Sequence, residues 1–92
     1  MSREVVVLSA VRSAIGTFGG SLANMEPHEL AGTVMKESIA RSGVDPQQIT
    51  YVTVGNCIPT DSRFAYVARV ASIQAGLSMD SVAMAVNRLC AS

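Results

Sequence analysis

The sequence predicts an α/β fold in which three short parallel strands are joined by two helices, in the order β-α-β-α-β. Short apolar or β-branched runs at 5–8, 51–54 and 81–86 alternate with stretches of helical periodicity. Those stretches are roughly 12–16 residues long, which suits crossovers between parallel strands and not tight hairpins. The apolar side chains are also mostly aliphatic: 49% of the 92 residues are hydrophobic, yet 4% are aromatic and Trp is absent. That composition suits closely packed helix-on-sheet layers better than an aromatic-cored sandwich. The length allows one small domain.

Val5-Val6-Val7-Leu8 is a continuous apolar run and predicts a strand buried on both faces. The glycine- and serine-containing segment from Val11 to Gly20 predicts a loop. Pro27 suits the first turn of a helix, where its missing N–H costs nothing, and Asn24 or Glu26 is placed to cap it. Leu30, Ala31, Val34, Met35 and Ile39 form one apolar stripe, with Glu29, Lys36, Glu37 and Arg41 mostly off it. Gly43 stops this helix, and Val44-Asp45-Pro46 turns the chain. Tyr51 to Val54 predicts the second strand. Pro59 to Ser62 predicts a loop that carries a cap for the next helix. Phe64 to Ala75 is apolar nearly all round, as in a helix that is buried or lies at a subunit interface. Gly76 ends it, and Ser81 to Val86 predicts the third strand. Cys90 lies just beyond.

Charge narrows the function. Seven basic and seven acidic side chains cancel, and only one of the basic residues is a lysine. Nothing here forms the basic patch that nucleic-acid backbones or anionic membranes require. No apolar run approaches the ~18–20 residues of a membrane span, and the short run after Arg3 does not make a secretory leader. Cys57 and Cys90 lie far apart without metal-ligand spacing. A reducing, cytoplasmic setting is therefore expected, with no disulfide framework and no metal.

Cys90 is the leading candidate for chemistry. In open α/β sheets ligands bind beyond the carboxyl ends of the strands. A thiol where a strand turns into a helix gains from the helix's unpaired N–H groups and dipole, which favour the nucleophilic thiolate. Its backbone N–H is placed to donate to a developing oxyanion. The competing reading is a small buried hydrophobe. Cys57, in "VGNCIP", also comes after a strand and reads as a supporting or buried residue. His28 stands between Glu26 and Glu29 and reads as a solvated structural residue. The glycines of "GTFGG" lack the Lys-Ser/Thr ending of a phosphate loop, so close packing is expected of them. Arg12, Arg63, Arg69 and Arg88 read as structural ion-pairing residues.

Taken together, these stretches resemble the amino-terminal part of the thiolases, the acetyl-CoA acetyltransferases or β-ketothiolases. "VVVLSAVRSAIGTFGGSL" is similar to the family's opening strand and loop. "HELAGTVMKESIARSGV" is similar to its first helix, "VTVGNCIP" to its second strand and "ARVASIQAGL" to its second helix. "VNRLCAS" matches the start of the family signature Asn-x-x-Cys-Gly/Ala-Ser-Gly and is the most specific of these. Ala91 stands where Gly is common, and Pro59 is a second mild departure.

The resemblance implies a thiolase-type βαβαβαββ half-domain, of which residues 1–92 are the amino-terminal part. It implies that Cys90 accepts an acyl group from an acyl-CoA thioester, with its N–H in an oxyanion hole. A second acetyl-CoA then attacks to give a 3-ketoacyl-CoA, and thiolysis is the reverse. The substrates are coenzyme A thioesters, and no resident cofactor is implied. The implied partners are the rest of a thiolase chain and further copies, as a homodimer or homotetramer. The family's base histidine and second catalytic cysteine belong to its carboxyl-terminal half, and Cys57 matches the wrong segment to be that cysteine. The competing readings are a non-catalytic thiolase-fold protein that binds acyl-CoA or lipid, and a condensing enzyme of ketoacyl-synthase type.

The apolar second helix wants a second cover, and the third strand lacks the helix that an α/β pattern places after it. The expectation is therefore a break in a larger enzyme, with residues 1–92 molten or aggregated when isolated. A cooperative thermal transition of a monomeric 1–92 segment would contradict this.

Overall fold

The computed structural model describes residues 2–92. Its elements are α1 (Pro27–Ser42), β1 (Tyr51–Gly55), α2 (Val67–Gln74) and β2 (Val82–Val86). Short 3-10 turns at Pro46–Gln48 and Ser62–Tyr66 lead into β1 and α2.

α1 begins and ends where its sequence signals lie. Glu26 takes the N-cap position, its N–H donates to the Glu29 carboxylate at 3.2 Å, and Pro27 opens the first turn. Gly43 closes the helix with φ 73°, the left-handed conformation that lacks a Cβ penalty only for glycine. The stripe residues Leu30, Ala31, Val34, Met35 and Ile39 are half-buried, while Lys36, Glu37 and Arg41 are exposed. Gly32 is buried where α1 crosses α2: a Cβ there would stand 3.5 Å from the Ala71 carbonyl.

The second helix starts in two steps. The Asp61 side chain accepts from the Arg63 N–H at 2.9 Å, so the expected cap is present. It opens a 3-10 turn that carries Phe64, and α-helical bonding begins only at Val67. The core lies along one side of this segment: Phe64, Val67, Ala68, Ala71, Ala75 and Leu77 are buried. Burying side chains such as Phe64 and Val67 stabilises by about 1.5–3 kcal/mol each. Tyr66 and Ile73 remain exposed, so α2 is not covered all round.

β1 and β2 pair in parallel, with Tyr51 opposite Val82 and Gly55 opposite Val86. The parallel α/β arrangement is as expected, and Val52 and Val54 turn towards the helices. The expected strand at 5–8 is not formed. Val5 and Val7 are 94% and 86% exposed, and no backbone hydrogen bond joins the run to either strand. An apolar run supplies the side chains of a buried strand but not its ladder; a strand exists only where a neighbour accepts and donates. Ser9 does dock, through its hydroxyl to the Ser38 carbonyl at 2.8 Å. Among the described residues, no helix is long and apolar enough to cross a membrane.

His28 departs from the expected solvated residue. Its side chain is 19% exposed, with Nε2 2.6 Å from Glu26 Oε2 and Nδ1 3.3 Å from Gln74 Oε1. Arg63 reaches the other Glu26 oxygen at 3.4 Å and lies over the Phe64 ring. The Glu26 hydrogen bond, and after it that to Gln74, raises the His28 pKa above its ordinary 6.5. The folded state therefore prefers the imidazolium, which donates to both oxygens. The resulting stabilisation is complete below the unfolded pKa and is lost as pH rises through the higher folded value. In the full chain, the Tm difference between the native sequence and His28→Gln should be widest near about pH 6 and shrink towards about pH 8. A difference that is flat with pH would contradict the pairing.

Candidate active site

Parallel strands end at the same edge of their sheet, so the segments leaving β1 and β2 must meet. The Asn56 N–H donates to the Val86 carbonyl at 2.9 Å, extending the ladder one step past β1. The Asn87 side chain then donates through Nδ2 to the Cys57 carbonyl at 2.8 Å. The two cysteine-bearing segments are thus stitched together just beyond the strands.

Cys90 sits on a tight double turn. The Ala91 N–H donates to the Arg88 carbonyl at 3.1 Å, and the Ser92 N–H to the Leu89 carbonyl at 3.0 Å. Leu89 has φ 53°, the one positive value at a non-glycine among the described residues. For a branched apolar residue this is backbone strain, of order 1–3 kcal/mol, that the surroundings must hold. Asn87 Oδ1 accepts from the Leu89 N–H at 2.9 Å, and the Ser92 hydroxyl oxygen accepts from the Arg88 N–H at 2.7 Å. These bonds close the turn from both sides.

The turn leaves Cys90 exposed as a free thiol. The thiol is therefore presented on the outside of the bend. The helix terminus expected to assist the thiol is not formed among the described residues; residues 88–92 make successive turns instead.

Gly55 explains why the turn can lie where it does. A Cβ at residue 55 would collide with the Ser92 backbone carbonyl. The last residue of β1 must therefore be glycine for the 88–92 turn to fold back onto it. A cavity of about 140 Å³ opens at the same edge, lined by Asn56, Pro59, Phe64, Ala85 and Asn87 among others. A larger one, about 900 Å³, lies elsewhere, between Ala10–Ala14 and the outer face of α1, and is lined by neither cysteine.

The other candidates sort differently. Cys57 is half-buried, and its backbone carbonyl accepts the Asn87 bond. His28 is engaged by Glu26 and Gln74, and none of its hydrogen bonds involves the Cys90 turn. Arg63 forms the ion pairs expected of it, with Asp61 and Glu26. Its backbone N–H, then its side chain, lowers the Asp61 pKa. Arg69 instead donates to the Ser81 carbonyl at 2.6 Å, and Arg12 to the Ser13 carbonyl. No group of His, Cys, Asp and Glu suited to a metal occurs among the described residues. Sequence reasoning passed over Gly55 and assigned no role to Asn87. The available signal was an asparagine directly after an apolar strand, a residue type that bonds its own backbone two positions on.

Residues 5–92 match the family model for the thiolase N-terminal domain. The chain is 48% identical over 92 residues to beta-ketothiolase BktB of Cupriavidus necator, covering all of this chain and 23% of that protein. It is 42% identical over 89 residues to an acetyl-CoA acetyltransferase of the same organism, covering 97% of this chain and 22% of that one. Its fold superposes on human mitochondrial 3-ketoacyl-CoA thiolase in complex with CoA with a TM-score of 0.90 at 29% identity, over 94% of this chain and 22% of that one. The acetyl-CoA acetyltransferase of Bacillus anthracis gives 0.85 at 43% identity, over 95% and 22%. The chain thus spans under a quarter of the length of these relatives.

The Gly55 contact predicts a specific sensitivity. Gly55→Ala should push the 88–92 turn off β1, destabilising the full chain by about 1–3 kcal/mol. It should also slow reaction at Cys90 by up to about 100-fold. Unchanged alkylation of Cys90 by iodoacetamide in this variant would contradict the close approach.

Proposed function

The chain belongs to the thiolase family, and from that premise we propose that Cys90 is the acyl-accepting nucleophile of an acetyl-CoA C-acetyltransferase. One observation carries the reading: the exposed thiol stands on a strained turn just past the carboxyl edge of a parallel sheet. That is where α/β proteins bind ligands.

The chemistry proceeds by two transfers at one sulfur. The Cys90 thiolate attacks the thioester carbonyl of an acyl-CoA; a new C–S bond forms, the old one breaks, and coenzyme A leaves as a thiolate that takes up a proton. The Cys90 N–H donates to the oxyanion formed during the attack. Acetyl-CoA, deprotonated at its methyl carbon, then attacks the acyl-cysteine carbonyl. A C–C bond forms, the acyl C–S bond breaks, and Cys90 returns as thiolate beside a 3-ketoacyl-CoA. Thiolysis runs the same steps backwards. The thiolase resemblance implies that the base and acid for these proton transfers lie in the family's carboxyl-terminal half; His28 itself is engaged by Glu26 and Gln74.

No resident cofactor or metal is needed, because the thiol itself carries the acyl group. The two free cysteines suit a reducing, cytoplasmic setting. Exposed Tyr66, at the end of the turn before α2, and Ile73 on α2 suit packing within a homodimer or homotetramer. Similarity to a β-ketothiolase and to acetyl-CoA acetyltransferases supports acetyl-CoA and acyl-CoA as substrates.

Incubating the full chain with acetyl-CoA, and then mapping its peptides by mass spectrometry, tests the reading. The expected result is one acetyl group on the Cys90 peptide, absent in Cys90→Ala, with condensation in that variant reduced to background. An acetyl group on Cys57, or none on Cys90, would remove the proposal.

A further inference from the structure

We propose that Asn87 is a positioning residue whose carboxamide holds Leu89 in its left-handed conformation and thereby aims the Cys90 thiol. The inference rests on the reading of Cys90 as acyl acceptor and adds a residue through which that cysteine is controlled.

Three contacts converge on this one side chain. Nδ2 donates to the Cys57 carbonyl at 2.8 Å, fixing the carboxamide to the segment beyond β1. Oδ1 accepts from the Leu89 N–H at 2.9 Å. The Ser92 hydroxyl lies 3.4 Å from the same oxygen, while its own oxygen accepts from the Arg88 N–H. The carboxamide thus uses its donor on one strand's extension and its acceptor on the other's. Only a group with both functions on one planar unit spans the two.

Leu89 needs such a hold. Its φ of 53° is a conformation that a leucine leaves unless its surroundings hold it there. The residue whose direction it sets is the next one, Cys90. If the Leu89 backbone relaxes towards negative φ, the direction of Cys90 changes with it. Asn87 itself is solvent-exposed, so its bonds are of modest strength and their main effect is directional. Loss of geometry, more than loss of fold, is the consequence of removing it.

The experiment compares the native full chain with Asn87→Ala, Asn87→Asp, Leu89→Gly and the double variant Asn87→Ala/Leu89→Gly. Readouts are kcat and KM for thiolysis, the rate of Cys90 acetylation by acetyl-CoA, and Tm. Asn87→Ala should lower kcat and the acetylation rate by about 100-fold with KM nearly unchanged. Asn87→Asp keeps the acceptor for Leu89 but sets oxygen against the Cys57 carbonyl, and should fall in between while remaining folded. Glycine adopts φ 53° without a Cβ penalty, so adding Leu89→Gly to Asn87→Ala should restore about tenfold of the lost rate. A merely structural role would lower Tm in step with activity and show no such rescue. Native rates in Asn87→Ala, or equal loss in the single and double variants, would overturn the proposal. If the native chain itself acquires no acetyl group on Cys90, the reading of Cys90 fails first and the positioning role goes with it.

Discussion

In-register parallel pairing of β1 with β2 is the constraint that shapes the site. It sets Gly55 opposite Val86, so the segments leaving the two strands emerge side by side. Three contacts that hold the Cys90 turn beside β1 cross this seam: the Asn56–Val86 bond, the Asn87–Cys57 bond and the seat of the Ser92 carbonyl over Gly55. An antiparallel pair would have sent these segments to opposite ends of the sheet.

The pairing is in turn held by the cover on one face. Val52 and Val54 turn inward, and α2, with Val67, Ala68 and Ala71 buried, packs against β1. Gly32 and Ala71 let the helices approach almost backbone to backbone, and the Glu26–His28–Gln74 and Glu26–Arg63 contacts pin the start of α1 to α2 and to the turn before it. Rigid small-residue packing below and a strained turn above belong together, because strain survives only where its surroundings leave it no room to relax.

The features legible in the sequence were local. Pro27 and Gly43 bounded α1, the β-branched run marked β1, Asp61 announced the turn into α2, and the strand-cysteine junction pointed to Cys90. Pairing at a distance was hidden. Val5–Leu8 reads as a buried strand because hydrophobicity is local, whereas a ladder partner is not. His28 read as solvated because its second partner, Gln74, lies 46 residues away. Asn87 stood in plain view within "VNRLCAS", but the carbonyl it binds is 30 residues earlier, and only the fold brings them together. The strain at Leu89 has no sequence signal at all, since leucine is not a residue chosen for positive φ.

The central claim is that this seam presents Cys90, and not Cys57, as the reactive thiol. Competitive labelling of the full chain with limiting iodoacetamide, read by peptide mass spectrometry with and without acetyl-CoA, tests it most directly. The predicted result is that Cys90 is labelled at least about tenfold faster than Cys57 and that acetyl-CoA protects it. Labelling of Cys57 first, with Cys90 indifferent to acetyl-CoA, would contradict it.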